Sequence, residues 1–221
     1  MKKIFTLIAV AMMTVGGAMA QTISWTETAA KGTLNGHVFK NGDVTLTVTD
    51  TDGKVEVDAN SQYFGSAESY KNFTYRLKTG GKSGNKNTLT LSVPAKGVVK
   101  IYARSGSSSD LTRTVVLTQN SKEILNQIVK DNDAVKVSIE GSEKAVFPVY
   151  NCNVETGTIN ITYPINAINF YGIEFIKDDT GISDIIVADD ANAPAYNLAG
   201  QRVNANAKGL VIKNGKKYVN K

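Results

Sequence analysis

The chain announces itself by alternation. Val44, Leu46 and Val48 are separated by Thr45 and Thr47. Val55 and Val57 are separated from polar Lys54, Glu56 and Asp58. Phe73, Tyr75 and Leu77 alternate with Thr74, Arg76 and Lys78. Leu89, Leu91 and Val93 alternate with Thr88, Thr90 and Ser92, and Val99, Ile101 and Ala103 with Lys100, Tyr102 and Arg104. A period of two puts successive side chains on opposite faces of an extended strand, so each run predicts one face on a core and one toward water.

Turn-forming residues punctuate these runs. They include Asp52-Gly53, Gly80-Gly81, Gly84-Asn85, Lys96-Gly97, Gly106-Ser107-Ser108-Ser109 and Gly141-Ser142. Asp52-Gly53 reads as a hairpin turn between Val48 and Val55. Further strands are expected at 145–149, 156–162 and 168–176, the last with Tyr171, Ile173 and Phe175 toward the core. Residues 123–129 fit a helical turn or a strand. Short strands at this spacing predict an all-β fold, an antiparallel jelly-roll-like β-sandwich. The pattern breaks after residue 177, and a small-residue, acidic stretch precedes Pro194. The expected organisation is therefore a sandwich at 21–177, a linker at 178–194 and a small C-terminal β unit at 195–221.

The N-terminus changes the picture from any domain to an exported one. Lys2 and Lys3 precede an apolar run over residues 4–15, and Ala18-Met19-Ala20 is a small-x-small cleavage site, so residues 1–20 read as a secretory signal peptide. The remaining chain then starts at Gln21 and carries none of the long apolar runs a membrane helix needs. Of the formal net charge of +5, Lys2 and Lys3 supply two. The rest is scattered, which argues against nucleic acid as a partner. Cys152 is the only cysteine, so the fold must rest on core packing instead of disulfides.

Two sets of motifs carry a resemblance to known families. Tyr196-Asn197-Leu198-Ala199-Gly200-Gln201-Arg202-Val203, followed by Lys208-Gly209-Leu210-Val211-Ile212-Lys213-Asn214-Gly215-Lys216-Lys217, resembles the C-terminal sorting domains of the type IX secretion system. Val211 stands where those tails often have an aromatic residue, and Tyr218 follows the lysine pair; a cleaved and a retained tail are both compatible with this ending. The resemblance implies export through that machinery to the outer-membrane surface or the exterior of a Gram-negative cell. The residues themselves read as three short strands, with Asn214-Gly215 as a hairpin turn.

In the body, Tyr75-Arg76-Leu77-Lys78-Thr79-Gly80-Gly81, Tyr102-Ala103-Arg104 with the serine-rich stretch through Asp110, Arg113, and Tyr171-Gly172-Ile173 resemble β-sandwich modules. Such modules accompany pectate lyases and other polysaccharide-degrading enzymes. This resemblance implies a jelly-roll-like domain with a role in glycan binding and no catalysis of its own.

Catalytic patterns are poorly represented. His37 is the single histidine and lies near a turn, where a surface role outweighs a place in a Ser-His-Asp site. Cys152 fits a buried structural thiol better than a nucleophile. No zinc-ligand spacing occurs. Asp50-Thr51-Asp52-Gly53 lacks the further ligands of a calcium loop. No cofactor is expected, although sandwich loops offer carbonyls and carboxylates that would suit a structural calcium ion.

The outward face of the strand around residue 102 is the candidate ligand-binding site. Lys100, Tyr102 and Arg104 project the same way, as does Arg76 on another strand. A tyrosine ring stacks on the apolar face of a sugar, and arginine donates forked hydrogen bonds to hydroxyls or carboxylates. An ordinary solvated face is the competing reading. Trp25, Tyr63, Phe64 and Tyr70 form a second aromatic set, with Trp25 expected in the core and one of the adjacent pair Tyr63 and Phe64 facing outward. The sequence thus predicts an exported, non-catalytic protein that binds a polysaccharide or surface glycan. The alternatives are a structural or adhesion module packing on a protein partner and, last, a small hydrolase.

Overall fold

A computed structural model describes residues 20–84, 86–178, 194–197, 200–204, 208–213 and 216–220. The expected signal peptide lies outside them except for Ala20, as does nearly all of the expected linker. The chain divides into two compact units, residues 1–178 and 179–221.

The larger unit is all-β and contains two sheets. In chain order its strands are β1 (Ala20–Ser24), β2 (Val38–Asn41), β3 (Val44–Asp50), β4 (Glu56–Gly65), β5 (Tyr70–Lys78), β6 (Asn87–Val93) and β7 (Gly97–Ser105). They continue with β8 (Thr114–Gln119), β9 (Lys122–Ile128), β10 (Val135–Ile139), β11 (Ser142–Phe147), β12 (Tyr150–Val154), β13 (Gly157–Thr162) and β14 (Ile168–Lys177). One sheet runs β2-β3-β6-β13-β8-β9. The other runs β10-β11-β4-β5-β14-β7-β12, with β1 added on β14. Residues 123–129 resolve as strand β9 apart from the last. Among the described residues, no helix is long and apolar enough to cross a membrane.

The alternation read from sequence is the core itself. Val44, Leu46, Val48, Leu89, Leu91, Ile159 and Ile161 from one sheet meet Leu77, Val99, Ile101, Phe170, Ile173 and Phe175 from the other in a single buried cluster. Each such side chain contributes about 1.5–3 kcal/mol when fully buried. Trp25 sits in this cluster, and Cys152 is there as a buried free thiol.

Three expectations are corrected. The Asp52-Gly53 turn closes no hairpin: β3 pairs with β2 and β6, whereas β4 pairs with β5 and β11, so the turn carries the chain from one sheet to the other. The Asp50 carboxylate supports that crossing by accepting the backbone N–H groups of Lys54 at 2.8 Å and Val55 at 3.0 Å. The antiparallel sandwich expected from the sequence is present with one exception: β11 runs parallel to β4 at Val146–Tyr63 and Phe147–Phe64.

The third correction positions the site. β5 pairs with β14 only at Asn169 and Phe170, and from Gly172 onward β1 takes that edge. The distal half of the β4–β5 hairpin leaves the sheet there. Its Phe64 and Phe73 pack with Tyr102, Phe147 and Tyr171 in a second buried cluster. Phe73 keeps the alternation of Tyr75 and Leu77 but covers the other side of the sheet. The Phe73 ring lies so close over Gly172 that a Cβ there would sit 2.6 Å from it. A third layer therefore covers the face that the sequence assigned to solvent.

The smaller unit is a sheet of four short strands instead of three: β15 (Ala195–Tyr196), β16 (Arg202–Val203), β17 (Gly209–Lys213) and β18 (Lys216–Asn220), in the order β16-β15-β17-β18. β17 and β18 pair with Lys213 opposite Lys216. Ala195 and Val211 are buried within it.

Candidate functional site

Tyr102 does not offer an open ring. It is 2% exposed, and its ring centroid lies 4.8 Å from that of Phe73 and 5.9 Å from that of Phe64. Its hydroxyl donates to Glu174 Oε2, the same oxygen that accepts Lys71 Nζ at 2.6 Å. Burial first, and then the bond to Glu174, pushes the Tyr102 phenol well above its ordinary range. Glu174 is 3% exposed yet ionised. Burial raises its carboxyl, but the bonds from Lys71 and Tyr102 and the charges of Lys71 and Lys100 outweigh that and leave its pKa below the usual value.

Arg104 and Arg76 are likewise committed to the framework. Arg104 stacks 4.0 Å above the Phe147 ring and donates to Asp131 at 2.5 Å. Arg76 donates to the two oxygens of Asp58 at 2.8 and 3.1 Å. A guanidinium already held in a two-pronged pair has few donors left for a ligand. The expected platform of Tyr102 and Arg104 is thus closed by the third layer. Period two gives the direction of a side chain but not what lies above it.

The motifs that carry the body resemblance also hold the scaffold. Thr79 Oγ1 donates to the Ile168 carbonyl at 3.0 Å and accepts the Ile168 N–H at 3.0 Å. Arg113 ties the serine-rich loop by bonding Asp110 at 2.8 Å and the Ala167 carbonyl at 2.8 Å. Gly172 makes room for Phe73.

Lys100 is the expected site residue that stays available. It lies on β7 opposite Glu174 of β14 and Asn151 of β12, and among the described residues it makes no ion pair within 4.0 Å. It lines a surface cavity of about 190 Å³ together with Tyr70, Lys71, Tyr102, Asn151 and Ser69. The cavity is formed where the hairpin tip overhangs β7. Gly65 makes that tip: its φ is +141°, and a Cβ would stand 2.2 Å from the Ser69 carbonyl oxygen. Gly65 pairs with Tyr70, which is 39% exposed and whose ring is braced edge-to-face by Tyr63 with centroids 5.8 Å apart.

The geometry therefore replaces Tyr102 with Tyr70 as the exposed aromatic. Tyr63 and Tyr70 were visible in sequence as an aromatic set, and Phe64 is the buried member of the adjacent pair. Their proximity to Lys100 was not visible. The arrangement offers one half-exposed ring, two ammonium groups and an amide around a space below the roughly 300–1,000 Å³ of pockets for drug-sized ligands. It suits one small ring-shaped unit at the surface. Among the described residues, no group of three or more histidine, cysteine, aspartate or glutamate side chains is placed to hold a metal. His37 is exposed, with its ring 4.5 Å from that of Phe39.

No protein-family model matches the chain, and no curated protein matches it. One solved chain that resembles it is described by the words "The complexity of the Ruminococcus flavefaciens cellulosome reflects an expansion in glycan recognition". It aligns at 10% identity with a TM-score of 0.38, over 73% of this chain and 96% of that one.

Proposed function

We propose that the larger unit is a non-catalytic glycan-binding module that takes a single sugar ring in the cavity between the β4–β5 hairpin tip and β7. The observation that carries this reading is the surface cavity lined by Tyr70 at the hairpin tip and Tyr102 on β7, with Lys71, Lys100 and Asn151 as donors around it. An aromatic face beside fixed donors matches the amphipathic faces of a pyranose. The floor is braced, because Tyr102 and Lys71 both donate to Glu174 Oε2. The signal-peptide pattern and the sorting-like tail support a protein working at the cell surface or outside the cell.

The test is a glycan array on the exported chain, followed by titration calorimetry of the strongest binder. Tyr70→Ala should weaken binding by on the order of tenfold while leaving the melting temperature within a few degrees. Unchanged binding by Tyr70→Ala would move the site elsewhere. A chain that binds no glycan while capturing a protein through this face would favour the adhesion reading.

A further inference from the structure

We propose that the cavity selects sugars bearing an anionic group, a carboxylate or a sulfate, with Lys100 as the residue that determines this preference. The proposal rests on the glycan reading above and adds the charge class of the ligand. Two lysines line the cavity, and among the described residues no carboxylate lines it. Glu174 lies beneath the floor, and its negative charge is matched by Lys71 at 2.6 Å. Tyr102 donates to that same Glu174 oxygen, so the acid is enclosed by its own partners. Lys100 is left over. It has Glu174 as a cross-strand neighbour but, among the described residues, no ion pair within 4.0 Å, and its other cross-strand neighbour is the neutral, exposed Asn151.

Among the described residues, the cavity lining thus carries two ammonium groups and no carboxylate, and only one of the two is held in a salt bridge. A ligand anion there gains more than it would in open water, because the low-dielectric floor of Phe64 and Tyr102 strengthens the attraction. A neutral sugar offers the ammonium hydroxyl acceptors but no opposite charge. Lysine supplies a point charge with three rotatable donors and no fork, so carboxylate and sulfate are both accommodated. The ring of the same sugar unit then rests against Tyr70.

The experiment pairs each acidic polymer with its neutral twin. The full chain is titrated with polygalacturonate and with the same polymer after reduction of its carboxylates to alcohols. It is also titrated with a sulfated galactan and with its desulfated form. The expected result is that at least one acidic form binds on the order of tenfold more tightly than its twin at low salt. That gap should narrow at high salt, because added ions screen the attraction. Lys100→Gln should erase the gap, Lys100→Arg should keep it, and Tyr70→Ala should weaken both members of a pair. Which pair shows the gap tells carboxylate from sulfate. Equal binding of twins, or a gap that survives Lys100→Gln, overturns the charge preference while Tyr70-dependent binding keeps the glycan reading. Absence of binding to every polymer overturns both.

Discussion

Tyr102 and Glu174 share a buried hydrogen bond across neighbouring strands, and Lys71 reaches the same carboxylate oxygen from the overlying hairpin. The residue that sequence alone puts forward for ligand contact is thereby a structural pin. It joins the sheet to the layer above and forms the floor of the cavity without presenting its ring to solvent.

Tyr102→Phe should lower stability by about 1–3 kcal/mol, since it leaves a buried carboxylate with one donor fewer. Glycan affinity should change little, because the phenol points into the protein. Urea unfolding and titration calorimetry on the same variant separate the two effects. A full loss of binding at unchanged stability would restore Tyr102 as a contact residue.

Acid should loosen this pin. Glu174 has a folded-state pKa below its ordinary value of 4.5, so its contribution to stability is present above pH 4.5 and is lost as pH falls through the folded value. The wild-type chain should therefore lose stability on acidification below that point more steeply than Glu174→Gln, which has no charge to neutralise there. Unfolding curves across the acidic range provide the check. Parallel pH profiles for the two proteins would show that Glu174 is not the group responsible.

Gly172→Ala should destabilise by about 1–3 kcal/mol through overpacking against Phe73, whose ring occupies the place of the missing Cβ. Phe73→Leu, combined with it, should recover part of that loss. A double-mutant cycle measures the coupling. Additive effects would mean that Phe73 does not sit over the glycine in solution.

Gly65→Ala tests the hairpin tip. Its φ of +141° belongs to a region nearly exclusive to glycine, and the Ser69 carbonyl blocks a Cβ. Substitution should cost about 1–3 kcal/mol and displace Tyr70. Binding should fall with it, a change readable by calorimetry alongside the melting temperature. An alanine variant with native affinity would separate the tip from the site.

A chain ending at residue 178 should melt like the longer chain, because the larger unit holds its own core and the described strands of the smaller unit form a sheet of their own. Differential scanning calorimetry of the two chains decides this. A large drop in melting temperature on truncation would show that the smaller unit completes the larger one.

The sequence by itself determined what alternation determines: that the chain is built of strands, and which face of each strand is apolar. That information is local, because each residue's face follows from its neighbours along one strand. It placed Val99, Ile101 and Ala103 in the core, buried Trp25, and directed Lys100, Tyr102 and Arg104 to the opposite side. Alternation is silent on which strands become neighbours, so the Asp52-Gly53 turn read as a hairpin when it is a crossing between sheets. Only the tertiary structure decided that the opposite side is itself covered. That cover exists because β1 displaces β5 from β14 at Gly172, freeing the hairpin to fold over β7. The bond between Lys71 and Glu174 joins residues 103 positions apart. Their meeting depends on the packing of whole strands, and so does the cavity that leaves Lys100 and Tyr70 facing the same space.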